Sequence, residues 1–186
     1  IDDDQLVADF TGTGNQVLGP LNARLSAARA CVYYVCKAVV DPDLPPSAGA
    51  YRPIDVIAPE GSILHATYPA AIGNANILTD QRVVDVLLGA LHQATPERVC
   101  AACSGEMNLL NIGGLDPHTG VYYNYVETYA GGQGAMHDLD GEDGVHTHLT
   151  NTRNAPVEVI ERTYPLQVVQ YGLVTDTSGA GKHRGG

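Results

Sequence analysis

Residues 23–40, ARLSAARACVYYVCKAVV, decide the class of fold that this chain adopts. Their apolar side chains recur at the i, i+3, i+4, i+7, i+11 spacing that lines one face of an α-helix, namely Ala28, Cys31, Val32, Val35 and Val39. The run DPDLPP at 41–46 follows directly, and proline cannot continue a helical hydrogen-bond ladder. We therefore predict an amphipathic helix over 23–40 that ends before this run.

A second helix is predicted over 79–94. Thr79 is a good N-cap residue, and Pro96 follows the last turn. One face of this helix carries Val83, Leu87, Ala90, Leu91 and Ala94, and it is widened by Val84 and Leu88. A helix with so wide an apolar face is expected to be deeply buried.

The rest of the chain has the character of strands and turns. We predict strands over 5–11, 54–58, 106–112, 121–129 and 166–174, and a short helix or turn over 156–161. The turn at 116–120, DPHTG, makes a hairpin of the third and fourth strands. We expect an α+β domain in which the two main helices pack on a mixed sheet, and the Tyr-rich strand 121–129 contributes to that sheet.

Composition and charge exclude several classes of function. The chain of 186 residues is long enough for one domain with a real core. Its net charge of −11, with no basic stripe, argues against a nucleic-acid partner. It contains no apolar run long enough to cross a bilayer and no signal-peptide pattern, so we expect no membrane partner and a soluble, cytoplasmic protein.

Residues 144–161, GVHTHLTNTRNAPVEVIE, carry the densest set of directional polar groups. On a strand, His146 and His148 would project to the same face, as a metal arm completed by an oxygen of Asp138, Asp140 or Asp143. Alternatively, the two histidines hold the surrounding loops by hydrogen bonds. In a cleft, the Arg153 fork would bind a carboxylate or phosphate, and the amides of Asn151 and Asn154 would match a lactam. Alternatively, these three residues are structural and tie the segment to neighbouring loops.

The glycine-rich loop at Gly131, Gly132 and Gly134 follows a strand directly. A phosphate-binding loop would need a helix behind it, but the sequence that follows is acidic and typical of turns. The glycines either allow close backbone approach or leave room for a small ring in a substrate cleft. We expect residues 131–135 and 146–153 to converge on one cleft.

Four cysteines allow a metal or redox site, but their spacing does not favour one. Cys100 and Cys103 form a single CxxC motif, which is only half of a structural zinc site. Cys31 and Cys36 are five residues apart and would face different sides of a helix. We interpret all four as small core residues.

Seven segments, in the same order, carry a resemblance to a known family: 9–23 (DFTGTGNQVLGPLNA), 28–35 (ARACVYYV), 51–64 (YRPIDVIAPEGSIL), 79–91 (TDQRVVDVLLGAL), 127–135 (ETYAGGQGA), 146–161 (HTHLTNTRNAPVEVIE) and 178–186 (SGAGKHRGG). On these segments the chain resembles the hydantoinase B/oxoprolinase family, which includes N-methylhydantoinase B subunits, the C-terminal half of 5-oxoprolinase and large subunits of acetone and acetophenone carboxylases. Because the family's subunits are several times longer, the resemblance implies that this is an internal or C-terminal piece of a larger hydantoinase B-type subunit.

The resemblance also implies an activity and a partner. An ATP-dependent cyclic amidase would open hydantoin, 5-oxoproline or related lactam rings, with ATP supplied by a hydantoinase A-type subunit in a hetero-oligomer. The complete enzyme would use a divalent metal ion, whose best-known motif lies in an N-terminal portion that this chain lacks. The chain itself has no Walker, Rossmann or nucleophile-elbow pattern, so we expect it alone neither to bind ATP appreciably nor to hydrolyse it.

Within this framework we assign catalytic roles to His148 and Arg153. We assign substrate binding to the glycine loop and two polar side chains of the 144–161 segment: Gly131, Gly132, Gly134, His146 and Asn151. Two alternatives remain open. The chain would instead belong to an ATP-dependent ketone carboxylase of the acetone or acetophenone type, or serve mainly as a scaffold in either complex.

Overall fold

Helix α1 (Leu25–Val39) confirms the predicted amphipathic helix, in a computed structural model that describes residues 4–186. The whole predicted stripe is buried: Ala28, Cys31, Val32, Val35 and Val39. Beyond the last turn, Lys37 Nζ donates hydrogen bonds of 2.7 and 2.6 Å to the carbonyl oxygens of Pro42 and Leu44. The proline-rich run therefore ends α1 and folds back on it.

The first two strands lie side by side under α1. Strand β1 (Leu6–Asp9) pairs in parallel with β2 (Ile54–Ile57), and a single-turn helix α2 (Ala48–Tyr51) precedes β2. A parallel pair needs a crossover connection, and α1 supplies it. Ala8 and Val56, one from each strand, are buried against Val32 of α1.

Helix α3 (Thr79–His92) confirms the second helix, but its buried face differs from the predicted one. The buried residues are Asp80, Gln81, Val83, Val84 and Leu88, because α3 packs on α1 with this side. Leu87 and Leu91 are half-buried, and Ala90 and Ala94 are exposed. Thr79 is not the N-cap: Leu78 holds that position, while the Thr79 hydroxyl donates to the carbonyl oxygen of Leu21.

A 3₁₀ turn (Pro96–Arg98) follows α3 and leads to the predicted hairpin of β3 (Asn108–Leu115) and β4 (Tyr122–Tyr129). The two strands are antiparallel, with Leu115 opposite Tyr122 at the turn. The hairpin is a separate two-stranded sheet, so the expectation that strand 121–129 joins the sheet beside the helices is wrong. Alternating side chains identify a strand but not its partner, which backbone hydrogen bonds determine.

The C-terminal part contains helix α4 (Val157–Thr163), which confirms the short helix at 156–161. The strand predicted over 166–174 does not form, and Val169, Leu173 and Val174 are exposed. Within residues 4–186, no strand pairs with these β-prone residues, and a lone strand is not stable. Two main helices and two small sheets confirm the α+β class. None of the helices within residues 4–186 has the length and apolar character that crossing a bilayer requires.

Candidate functional site

Three reactive side chains from distant parts of the chain meet beside α3. Asp85 lies on α3, Cys103 on the loop after the 3₁₀ turn, and His148 on the polar loop 144–154. His148 Nε2 is 3.3 Å from Asp85 Oδ1, and Cys103 Sγ is 3.6 Å from Asp85 Oδ2. The side chains of His148 and Asp85 are only 6% and 7% exposed. We call this group the Asp–Cys–His cluster.

The charges in the cluster stabilise one another. Burial alone would lower the pKa of His148, but hydrogen bonds to Asp85 and Cys103 raise it to about 9. Burial would raise the pKa of Asp85, but hydrogen bonds from His148 and the Cys103 backbone hold it below its usual value. Burial also opposes ionisation of Cys103, yet hydrogen bonds from His148, Thr147 and the Gly105 amide lower the pKa of this thiol. The cluster therefore favours a charged imidazolium beside an ionised carboxylate.

Local backbone structure holds each member in place. The Cys103 amide donates a hydrogen bond of 3.3 Å to Asp85 Oδ1, which fixes the cysteine loop to α3. His148 has a φ of 56°, in the left-handed region that few non-glycine residues adopt. Two residues later, Thr150 is buried and accepts a 2.8 Å hydrogen bond from Gln81 of α3. Helix α3 therefore positions both loops.

The glycine loop and the polar loop 144–154 both line one small cavity. It has a volume of about 300 Å³ and is lined on one side by α1 and on the other by Gln133, Gly134, His146, Thr147 and His148. The Gly132 amide also donates a 3.3 Å hydrogen bond to the carbonyl oxygen of Val145. Tyr34 of α1 approaches the His148 ring edge-on, with a centroid separation of 6.1 Å. Gln133 and Gly134 thus meet residues 146–148 at this cavity, whereas Gly131, Gly132 and residues 149–153 do not line it, so the cleft expected from 131–135 and 146–153 forms only in part.

The glycines themselves are required by close backbone approach. A Cβ atom on Gly134 would clash with the carbonyl oxygens of Ala101 and Ala102, and one on Gly131 would clash with the Ser104 side chain. Gly132 has a φ of 120° and lies against the backbone of Gly186. All three also line a larger cavity of about 730 Å³, to which Cys103 contributes.

The other candidate residues from the sequence either lie outside the small cavity or form hydrogen bonds with residues outside the Asp–Cys–His cluster. Asn151 and Arg153 are exposed and line neither cavity. His146 lines the small cavity, but its Nε2 is 3.2 Å from Thr152 Oγ1 rather than beside His148. Asn154 donates a 2.8 Å hydrogen bond to the carbonyl oxygen of Thr128, which attaches this segment to β4.

The metal arm predicted from His146 and His148 is not formed. The loop is not a strand, and the left-handed turn at His148 directs the two rings to different partners. Asp140 lies 3.4 Å from His183, and Asp143 pairs with Arg184 at 2.8 Å. In the part of the chain that the structure describes, the Asp–Cys–His cluster is the group whose donor atoms converge, all within 4.8 Å of one another.

Sequence reasoning misses two members of the cluster. Periodicity places Asp85 on an apolar helix and gives it no role. A carboxylate between Val84 and Val86 nevertheless indicates that a hydrogen-bonding or charged partner is needed if it is buried. The interpretation of Cys103 as a core residue is wrong, because it lies beside charged groups. Burial raises the pKa of the other three thiols, most strongly that of Cys31, to about 12.

Comparisons with known proteins identify the family. The family model described as Hydantoinase B/oxoprolinase matches residues 1–186. The chain belongs to the hydantoinase B/oxoprolinase family. It is 37% identical over 178 residues to 5-oxoprolinase 1 of Arabidopsis thaliana, covering 96% of this chain and 13% of that protein. It is 36% identical over 180 residues to the 5-oxoprolinase of Dictyostelium discoideum, covering 97% of this chain and 13% of that protein.

A solved structure shares the fold. The ATP-dependent caprolactamase from Pseudomonas jessenii superposes with a TM-score of 0.73 at 27% identity, covering 94% of this chain and 31% of that one. The chain thus spans about a third or less of the length of these relatives.

Proposed function

We propose that this chain is part of the B-type subunit of an ATP-dependent cyclic amidase, which opens hydantoin, 5-oxoproline or related lactam rings. The observation that carries the proposal is similarity along nearly the whole chain to 5-oxoprolinases and to an ATP-dependent caprolactamase. These relatives are named for cyclic amides. A cyclic amide resists hydrolysis because resonance stabilises its carbonyl, and phosphorylation of the amide oxygen makes that carbon a good electrophile.

The ATP would be bound by a hydantoinase A-type partner in a hetero-oligomer. The glycine loop supports this division, because two of its amides already donate hydrogen bonds within the chain. The Gly132 and Gln133 amides donate to the carbonyl oxygens of Val145 and Glu142, and no helix begins directly behind the loop. A phosphate-binding loop needs its N–H groups for the anion and a helix directly behind it, so these features do not favour phosphate binding by this loop.

The small cavity is the proposed contact with substrate. Its volume of about 300 Å³ is in the range of small-molecule sites, and Gly134, His146 and His148 line it. The catalytic role of His148 rests on its place between this cavity and the Asp–Cys–His cluster. We also propose a catalytic role for Arg153 and substrate-binding roles for Gly131, Gly132 and Asn151. In the complete subunit, other parts of the polypeptide would lie opposite these residues.

The test uses the complete B-type subunit that contains this chain, produced together with an A-type partner. ADP release and ring opening are measured with 5-oxoproline, hydantoin and caprolactam, and separately with acetone plus bicarbonate. We expect ring opening only when both subunits, ATP and a lactam are present. Carboxylation of acetone without lactam hydrolysis would overturn the amidase proposal.

Variants separate catalysis from scaffolding. We expect His148→Ala and Arg153→Ala each to lower kcat by about 10²-fold or more, because a positioned polar group commonly contributes that much. His118→Ala, in the exposed hairpin turn, is the matched control and should keep full activity. Unchanged activity in both site variants would favour the scaffold role.

A further inference from the structure

Two separations between donor atoms of the Asp–Cys–His cluster match those of a tetrahedral zinc site, and all three donors lie within 4.8 Å of one another. With bonds of about 2.3 Å to sulfur and about 2.0–2.1 Å to nitrogen and oxygen, a tetrahedral ion separates S from O by about 3.5 Å and N from O by about 3.3 Å. The cluster places Cys103 Sγ 3.6 Å from Asp85 Oδ2 and His148 Nε2 3.3 Å from Asp85 Oδ1. Both separations involve the same carboxylate, so an ion would be bound by either of its oxygens or by both.

The chemistry of the three donors also fits zinc. Thiolate and imidazole are the ligands that Zn²⁺ prefers, and a carboxylate oxygen completes many of its sites. Three protein ligands leave a fourth position open, as in catalytic zinc sites. The cluster borders both cavities, since His148 lines the small cavity and Cys103 lines the larger one.

The surrounding groups hold the ligands as a metal site requires. The Gly105 amide donates to Cys103 Sγ at 3.2 Å, and the Cys103 amide donates to Asp85 Oδ1 at 3.3 Å. The buried bond between Gln81 and Thr150 fixes the loop that carries His148. Such hydrogen bonds orient metal ligands and are part of the affinity of a site.

We propose that Asp85, Cys103 and His148 bind one Zn²⁺ ion. When bound, the ion would supply Lewis-acid chemistry at the wall of both cavities. The site is independent of the proposed function, because metal binding is measured without substrate or ATP. Failure of the amidase assay would leave it standing, and failure to bind metal would leave the amidase proposal standing.

The test is metal binding by the purified complete B-type subunit that contains this chain, after treatment with a chelator and its removal. Zn²⁺ is titrated calorimetrically, and Co²⁺ is used as a spectroscopic probe because a cobalt–thiolate bond gives a charge-transfer band in the near ultraviolet. We expect one thiolate-bound ion per subunit, seen as a Co²⁺–thiolate band, and a rise in Tm on addition of Zn²⁺, since a ligand that binds only the folded state stabilises it.

The variants assign the ligands. Cys103→Ser and Cys103→Ala should abolish the Co²⁺ band. Asp85→Asn and His148→Gln should weaken Zn²⁺ binding by about 100-fold or more, because loss of a residue that only supports a ligand already lowers metal affinity by up to about 100-fold. Cys100→Ser and His146→Gln are matched controls from the same two loops and should retain the band. Thermal unfolding checks that each variant is folded.

Two results would overturn the assignment. One is a wild-type protein that gives no Co²⁺–thiolate band. The other is a band that disappears in Cys100→Ser, which would assign the metal to the CxxC pair instead of the cluster.

Discussion

The side-chain amide of Gln81 donates a 2.8 Å hydrogen bond to the hydroxyl of Thr150, and both residues are buried. This bond joins the first turn of α3 to the loop that carries His148. The Gln81 amide would have no hydrogen-bond partner if the hydroxyl were removed, and a buried unpaired donor is costly.

We therefore expect Thr150→Val, which keeps the shape of the side chain, to lower the free energy of unfolding by about 1–3 kcal/mol. Urea denaturation followed by circular dichroism measures the change. Thr175→Val, at an exposed position, is the control and should stay within about 0.5 kcal/mol of the wild type. Equal stabilities of the two variants would mean that the buried bond contributes nothing.

Cys103 should be the most reactive thiol of the metal-free protein. Its pKa is lowered by the hydrogen bonds of His148, Thr147 and Gly105, whereas burial raises the pKa of Cys31, Cys36 and Cys100. Because the thiolate is the nucleophile, alkylation by iodoacetamide at neutral pH should occur first at Cys103. Peptide mass spectrometry over a time course measures the four rates.

The same experiment on His148→Ala tests the cause. Loss of the imidazole should raise the pKa of Cys103 and slow its alkylation, without speeding that of Cys100. Reaction at Cys100 before Cys103 in the wild type would contradict the charge arrangement of the cluster.

Asp80 should make the protein less stable at neutral pH than a neutral residue would. The residue is 6% exposed, Oδ1 accepts no hydrogen bond from residues 4–186, and burial raises the pKa of the carboxyl. An unpaired buried group costs about 1–3 kcal/mol. The favourable effect of a carboxylate at a helix N-terminus is about 0.3–1 kcal/mol, so the burial cost is the larger.

A raised pKa means that the folded state loses stability as pH rises from the unfolded pKa through the folded one. We therefore expect Asp80→Asn to raise the free energy of unfolding by about 1 kcal/mol at neutral pH, with the gain shrinking as the pH falls towards about 4, near the pKa of an unfolded aspartate. Urea unfolding at both pH values measures the difference, with exposed Asp138→Asn as the control. A gain that is the same at both pH values would exclude ionisation of Asp80 as its source.

Replacing each of two glycines with alanine should change the stability of the protein in opposite directions. Gly134→Ala introduces a clash with the carbonyl oxygens of Ala101 and Ala102, so it should destabilise the protein by about 1–3 kcal/mol. Gly89 lies exposed on α3 with open space around it, so Gly89→Ala should stabilise by about 0.5–1 kcal/mol through helix propensity. Thermal melts of both variants measure the contrast, and a shift of the same sign in both would contradict it.

Patterns that are local in sequence predict most of the fold. The periodicity of α1 depends on residues within one turn of each other, and proline ends it, so the predictions of its stripe and C-terminus are confirmed. The buried face of α3 is displaced from the predicted one because it includes Asp80 and Gln81, polar residues that periodicity assigns to solvent. Which strands pair depends on tertiary structure, and side-chain patterns do not encode it. For the same reason they do not reveal that residues 166–174 pair with no strand in the described part of the chain.

The candidate site is predictable only in part for the same reason. His148 belongs to a segment dense in polar groups, so the sequence selects it as a candidate, together with His146, Asn151 and Arg153. Asp85 and Cys103 lie far from it in sequence, on an apolar helix and in a short cysteine motif, so only the folded chain shows that the three meet. The roles assigned to Arg153 and Asn151 stay predictions.

The two sheets differ in how far apart in sequence their partners lie. The hairpin pairs Leu115 with Tyr122 across a short turn, whereas the parallel sheet pairs Leu6 with Ile54 only after α1 has crossed over. Hairpins close in about 1–10 μs, while pairing between distant segments must first overcome the entropy of closing a long loop. Pulse-labelled hydrogen exchange during refolding should therefore protect β3 and β4 before β1 and β2. The parallel pairing of β1 with β2 is then among the later steps by which the chain reaches its native state, because contacts between distant segments form slowly.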